Sequence, residues 1–257
     1  MQALKSLGQN FLTDRAIAAR IVSSAQVSPG DQVWEIGPGK GILTRELLAA
    51  DCSLTAFELD RRLEEPLRKE FGSALELIRD DILKQNWPQL LAQYNTPIKL
   101  VANIPYQITS PLLGLLELHH QYFSRIVLMV QKEVAERICA SPGNKQYSAM
   151  TLRLKRLFDT QILFEVGRSC FTPVPKVDSA VISLSPRVVP PIIKDTNKYL
   201  LLVKLGFSHR RKTLRNNLSS LADRDSLEAL QLKTGIDLNR RGETLSEEEF
   251  ILLSDNL

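Results

Sequence analysis

Apolar residues recur at helical spacing from Asp14 to Gln26, with Thr13 or Asp14 placed to cap the first turn, and Ser28-Pro29-Gly30 ends the run. Asp31 to Ile36 then reads as a strand running into Gly37-Pro38-Gly39-Lys40-Gly41, and a helical pattern resumes from Ile42 to Ala50. The alternation continues with strands at Ser53–Glu58, Ala74–Arg79, Pro97–Ala102 and Ser124–Val130, separated by helical patterns such as Arg61–Phe71. This alternation predicts βαβ units, a mostly parallel sheet, and helices on both of its faces. Ser148–Leu157 reads as a further helix, and Gln161–Val166 and Ser179–Leu184 as a late antiparallel pair of strands. Pro186, Pro190 and Pro191 mark a linker, beyond which four short helical stretches follow without a strand. The expected class is α/β, with a sheet domain at residues 1–185 and a small all-helical domain at 186–257.

In such a sheet, ligands bind outside the carboxyl ends of the strands. The unusual residues fall there: Gly37 to Gly41, Glu58, Asp81 and Asn103 each lie at or just past the end of a successive strand. Glycines permit a tight turn and close approach of a ligand to the backbone. The segment matches neither GxGxxG nor a GK[ST] phosphate loop, so a pyrophosphate is not its obvious ligand. Glu58, about 20 residues after the glycine turn, is placed to accept from ribose hydroxyls. With Asp81 it describes a pocket for an adenosine-containing ligand.

Composition narrows the class. Hydrophobic residues at 44% and charged residues at 24% allow a sizeable core and argue against disorder. The net charge of +4 permits an anionic partner. It hides an uneven tail: Arg187 to Arg215 holds eight Lys/Arg and one acid, whereas Asn216 to Leu257 holds four Lys/Arg and nine acids. Three widely spaced cysteines suggest neither a disulfide framework nor a zinc site, and adjacent His119 and His120 with a distant His209 give no metal-ligand spacing. No metal is expected. The segment MQALKSLGQNFLTD has no apolar or Arg-rich leader pattern, and no run is long enough for a membrane span, so a cytoplasmic protein is expected.

EIGPGKGILT, FELD, DDIL and NIPY, in this order and spacing, resemble the ribosomal RNA adenine dimethyltransferase family of the KsgA type. The resemblance extends to Gln9-Asn10-Phe11-Leu12, to Phe171-Thr-Pro-Val-Pro-Lys-Val-Asp-Ser179, and to Phe207-Ser-His-Arg-Arg-Lys-Thr-Leu-Arg-Asn-Asn-Leu218. It implies a Rossmann-like methyltransferase sheet and S-adenosyl-L-methionine as cofactor. By motif, Asn10 and Leu12 would close the pocket, Gly37 and Gly39 would lie along the cofactor, and Glu58 would hold its ribose. Asp81 would meet the adenine amino group, and Asn103 would border both the methionine and the target base. One position departs from the family, which usually has glycine where Asp80 stands; a turn requiring positive φ would be strained by it.

The resemblance also implies the chemistry. An adenine exocyclic amine is a poor nucleophile because its lone pair is delocalised into the ring. Two acceptors gripping its N–H bonds would favour a pyramidal nitrogen. Asn103 offers its side-chain carbonyl, and Ile104 or Pro105 a backbone carbonyl, with Pro105 stiffening the turn. Tyr106 offers a stacking face and Phe171 a second one. Stacking is worth about 1–3 kcal/mol per base, against a few kcal/mol for extruding a base. A sulfonium donor needs no acid, and the amine loses its proton after attack, so positioning and electrostatics carry the reaction.

Arg210, Arg211, Lys212 and Arg215 form a basic set that the resemblance assigns to RNA phosphates, with Arg211 and Arg215 expected on one helical face. The expected partner is small-subunit ribosomal RNA or a pre-small-subunit particle, modified at two adjacent adenines of a hairpin loop by a monomeric enzyme. Alternatives are an Erm-type methyltransferase of large-subunit RNA, a DNA adenine methyltransferase, and a non-catalytic assembly factor. The VDS and FxxRRKxLRNNL segments favour the KsgA type.

Overall fold

The computed structural model describes residues 3–4 and 7–257. Met1, Gln2, Lys5 and Ser6, part of the segment read above as leaderless, lie outside the described residues. The first half of the chain forms β1 (Phe11–Leu12), α1 (Arg15–Ser24), β2 (Gln32–Ile36), α2 (Ile42–Leu48), β3 (Ser53–Phe57), α3 (Arg61–Phe71), β4 (Leu75–Ile78), α4 (Trp87–Leu91), β5 (Ile98–Asn103) and α5 (Thr109–Leu118). There follow β6 (Phe123–Gln131), α6 (Lys132–Cys139), α7 (Ala149–Lys155), β7 (Phe158–Val166), β8 (Phe171–Thr172), β9 (Ser179–Pro186), α8 (Thr196–Gly206), α9 (Leu214–Leu218), α10 (Arg224–Thr234) and α11 (Glu247–Asn256).

Two compact units divide the chain, one of residues 1–135 with 159–186 and the other of 136–158 with 187–257. The sequence reading placed 136–158 in the sheet domain, and here the structure differs. Tyr147 and Leu152 of this stretch are buried in the same apolar cluster as Tyr199, Leu202, Leu214 and Phe250. A boundary set by the proline linker alone misses a helical insertion that belongs with the tail.

The first unit is a Rossmann-like sheet of seven strands in the order β4-β3-β2-β5-β6-β9-β7. β2 pairs in parallel with β3 and β5, β3 with β4, and β5 with β6, whereas β9 enters antiparallel beside β6. The central strands are buried on both faces, which is why they read as continuous apolar runs. Neighbouring residues serve opposite faces: Val33 joins a cluster with Ile21, Leu43 and Leu47 from α1 and α2, whereas Trp34 packs edge-on against Phe57 at 4.9 Å and Trp87 at 5.5 Å. Asp14 caps α1, accepting from Ala16 N and Ile17 N. β1 and β8 form a separate two-stranded ribbon that periodicity did not announce.

The regular structure of the second unit is helical apart from one residue, Phe158, the first of β7. Two backbone segments pack closely within it: a Cβ on Gly242 would stand 2.4 Å from Gly206 O. Ser246 starts α11 with a capping box, its hydroxyl paired with Glu249 N and the Glu249 side chain with Ser246 N.

Candidate active site

In-register pairing aligns the strand ends. Ile36 pairs with Phe57 and with Ala102, and Phe57 with Ile78. The residues that follow on β2 and β3, Gly37 and Glu58, therefore leave the sheet at the same rim as Asn103, the last residue of β5. The chain departs from β2 toward β3 and β4 and returns on the other side with β5, which opens a crevice at the point of reversal. A cavity of about 280 Å³ occupies it. Its lining includes every residue expected to touch cofactor or base: Asn10, Leu12, Gly37, Gly39, Glu58, Asp81, Asn103, Pro105, Tyr106 and Phe171.

Gly37 and Gly39 adopt φ of +70° and +59°, a region glycine enters without strain. Gly37 N donates to Phe57 O at 2.9 Å, folding the turn back onto the neighbouring strand. A Cβ on Gly39 would stand 3.1 Å from the Phe11 ring, so the bare glycine lets β1 lie against the loop. The opposite side of β1 is held by β8, where Leu12 pairs with Phe171.

Glu58 is buried, and its two oxygens accept from Asp60 N at 2.8 Å and Gly39 N at 3.1 Å. Burial raises its pKa above the ordinary glutamate value, against the pull of these two N–H groups. Asp81 Oδ1 accepts from Leu83 N at 3.0 Å and caps a short turn, with Lys84 Nζ 3.9 Å from its other oxygen. Asp80 brings no strain, since Gln26 and Asp51 are the non-glycine residues at positive φ among those described. Its carboxylate accepts from Asp81 N at 2.7 Å, a bond that holds the Asp80 carboxyl below its ordinary range.

Asn103 Nδ2 makes a long hydrogen bond to Asn10 O (3.5 Å), which leaves Oδ1 free to accept. Pro105 O is engaged by Ile108 N at 3.1 Å, closing the turn that carries Tyr106. Of the two backbone carbonyls considered above, Ile104 O is thus the better placed for a second N–H. Tyr106 Oη lies 2.9 Å from Ser179 Oγ. Phe171 is 2% exposed and contributes both to the apolar core and to the cavity wall.

Several residues in the cavity wall, or on the strands and helices that carry it, escaped the sequence reading. Phe11 and Lys40 line the cavity, with the ammonium 5.0 Å from the ring centroid. Asp60, the N-cap of α3, receives Gln9 Nε2 at 2.9 Å and Arg62 at 2.7 Å, tying the segment before β1 to the end of β3. Arg62 is the main cause that holds the Asp60 carboxyl down at about 2. Glu35 is fully buried in β2; its Oε2 accepts from Thr44 Oγ1 at 2.7 Å and its Oε1 has no partner. Burial pushes its pKa up to about 8, opposed by the Thr44 hydroxyl and reinforced by the charge of Glu58. The signal was available: an acid between Trp34 and Ile36 inside a strand.

In the second unit the basic set is arranged differently from expectation. Arg210, Arg211 and Lys212 occupy a turn between α8 and α9, and the new helix starts only after Thr213, whose side chain caps Asn216 N. Arg211 and Arg215 do not share a helical face, because the N-cap breaks the helix between them. Arg210 is paired with Glu243 at 2.7 Å, and Arg215 donates to Gln231 Oε1 at 3.1 Å. Arg211 and Lys212 are exposed and form no ion pair among the described residues. Asn217 Nδ2 donates to Gly206 O at 2.9 Å and His209 O at 3.3 Å, fixing the turn that presents them.

Among the described residues, no group of three or more His, Cys, Asp or Glu is placed to hold a metal, and no helix is long and apolar enough to cross a membrane.

Comparison with known proteins follows the same lines. The family model for ribosomal RNA adenine dimethylase matches residues 1–257. Ribosomal RNA small subunit methyltransferase A of Lactobacillus helveticus is 42% identical across 100% of this chain and 92% of its own length. The protein of that name from Synechococcus elongatus is also 42% identical, across 100% of this chain and 96% of its own. Among solved structures, a dimethyladenosine transferase from Plasmodium falciparum superposes with a TM-score of 0.80 at 27% identity, covering 95% of each chain. The 23S rRNA methyltransferase ErmE superposes with a TM-score of 0.76 at 29% identity, covering 96% of this chain and 99% of its own.

Proposed function

Because the chain belongs to the ribosomal RNA adenine dimethylase family, we propose that its cavity binds S-adenosyl-L-methionine and an extruded adenine of small-subunit ribosomal RNA, and that it dimethylates two adjacent adenines of a hairpin loop near the 3′ end. The observation that carries this reading is the convergence of Glu58, Asp81 and Asn103 in one cavity, with aromatic rings on its wall. The enzyme is a small-subunit rRNA adenine dimethyltransferase by family and by its relatives.

The residues fit the cofactor. Bare glycine backbone at Gly37 and Gly39 leaves room for close approach, the buried Glu58 suits a pair of ribose hydroxyls, and Asp81 suits an amino group. Ile82 and Leu59 supply apolar surface for an adenine ring. Asn10 and Leu12 cover the same cavity from the N-terminal side. When bound, the cofactor supplies an electrophilic methyl group on a sulfonium.

The chain supplies position. Asn103 Oδ1 and Ile104 O accept the two N–H bonds of the target amine, drawing its lone pair out of conjugation. Tyr106 provides a ring face for the extruded base and Phe171 the facing wall. Neither a general base nor a metal is called for, since the amine becomes acidic once methylated. Arg211 and Lys212, which carry no ion pair among the described residues, are the cations best able to take RNA phosphates, and Arg210 and Arg215 frame the same turn.

The test is transfer of labelled methyl to small subunits that lack the modification, with large subunits and DNA as controls and the product nucleosides identified. Dimethyladenosine confined to small-subunit RNA is the expected result. Label confined to large-subunit RNA would move the chain to the activity named for ErmE, and cofactor binding without transfer would make it an assembly factor. Comparing naked RNA with partly assembled particles identifies the substrate form.

A further inference from the structure

We propose that Ser179 is the positioning residue that fixes the Tyr106 ring as the platform for the target base; this rests on the stacking role given to Tyr106 above. Tyr106 opens a single 3-10 turn, Tyr106–Ile108, with no side-chain cap. A ring on so short a turn beyond a strand end has two side-chain torsions and little local structure to restrain them. The restraint comes from 73 residues further along the chain, where Ser179 Oγ meets Tyr106 Oη at 2.9 Å.

Ser179 is well suited to hold something still. It is fully buried, it is the first residue of β9, and its partner across the ladder is Gln131 at the end of β6. β9 lies inside the sheet, between β6 and β7, and Lys132 N donating to Asp178 O at 3.0 Å carries the pairing one residue beyond the strand. The serine oxygen that pairs with the tyrosine is therefore held by a strand inside the sheet. A serine in a run of Ala180, Val181 and Ile182 also asks for a reason, since a buried hydroxyl costs stability unless it is hydrogen-bonded. Tyr106 supplies the partner. Burial presses the phenol toward its neutral form, raising its pKa, so the bond persists across the working pH range.

With its tip tied to the sheet, the ring has its hydroxyl committed and its face left over. The part of Tyr106 that meets substrate is the π surface, and the hydroxyl serves orientation. Ser179 is thus coupled to catalysis without touching substrate.

The experiment compares Ser179→Ala, Tyr106→Phe, the double variant and Tyr106→Ala in methyl transfer at saturating cofactor, with cofactor Kd and Tm measured in parallel. Loss of one hydrogen bond should lower kcat by about three- to tenfold in Ser179→Ala and in Tyr106→Phe, with cofactor Kd unchanged. The double variant should be no slower than either single one, because both remove the same bond. General loosening of β9 would instead add its loss to that of Tyr106→Phe. Wild-type kcat in Ser179→Ala and Tyr106→Phe, with Tyr106→Ala inactive, would leave the platform standing and overturn the anchor; so would losses that multiply in the double variant. Normal turnover in Tyr106→Ala would remove the platform reading and this inference with it. Should Ser179→Ala fail to fold, Tyr106→Phe decides alone, since it cuts the bond without altering β9.

Discussion

Replacing Glu35 with glutamine should make the protein more stable at pH 8 and leave it nearly unchanged at pH 5. The carboxyl is fully buried, one oxygen accepts from Thr44 Oγ1 at 2.7 Å, and the other has no partner. Its pKa stands at about 8 against an ordinary 4.5, chiefly because burial penalises the charge. Between those two values the unfolded chain is ionised at this position while the folded chain carries the proton. Folding therefore binds a proton, and stability falls as pH rises through the window, levelling off above it. At about 1.36 kcal/mol per pH unit, this one group costs roughly 5 kcal/mol by pH 8. Glutamine keeps the acceptor for Thr44 and has no charge to bury. Its amide N–H₂ takes the unpartnered side, where the protonated acid would leave its own O–H unpaired. At about 2–4 °C per kcal/mol for a chain of this size, the variant should melt roughly 10–20 °C above the parent at pH 8. The assay is Tm for both proteins at half-unit steps from pH 5 to 8.5. Taking the difference cancels groups that titrate alike in both, Glu247 among them, whereas Glu58 is coupled to Glu35 through its charge and shifts with it. A gap that stays constant with pH would refute the reasoning, because only a titrating Glu35 makes it grow.

Glu58→Gln should weaken S-adenosyl-L-methionine binding by tenfold or more, as calorimetry would measure, since an amide can no longer accept from Asp60 N, Gly39 N and ribose hydroxyls together; losing one charge-assisted bond is worth about 1.5–3 kcal/mol. In the parent, affinity should fall as pH drops through the raised Glu58 pKa, and a Glu58→Gln profile with the same fall would assign it elsewhere. Arg211→Ala with Lys212→Ala should flatten the dependence of log K for RNA on log salt by about 1.4 for single-stranded contacts, and an unchanged slope would place both outside the interface. Gly242→Ala puts a methyl 2.4 Å from Gly206 O and should cost about 3 kcal/mol, read as a lower Tm of the helical unit.

The cavity was readable in advance because parallel strands in register deliver consecutive loop residues to one rim. Gly37, Glu58 and Asn103 needed only correct strand ends, and errors of a residue or so did not move them to another face of the sheet. Phe171 was legible as a motif but not as a position: its place depends on a two-residue ribbon with Leu12, too short to leave a periodic signal. The helical insertion at 136–158 was hidden for another reason, since membership of a unit is decided by who buries Tyr147, a long-range fact. The basic turn was misread because Arg210 to Arg215 has helical composition, and a single Thr213 cap divides it. Glu35 stood in plain view within Val-Trp-Glu-Ile, but an acid in a strand has a role only when the strand is known to be covered on both faces.

The ribbon between β1 and β8 also orders events in time. Leu12 pairs with Phe171, and Phe11 with Thr172. The β1 residues that line the cavity are thus synthesised long before the partners that hold them. Strands β2 to β6 can assemble while the chain is still growing, yet one wall of the cavity waits for Phe171 and Thr172 to emerge. Capacity to bind cofactor should rise late and abruptly along the series of growing chains, as a property of completed topology and not of accumulated length.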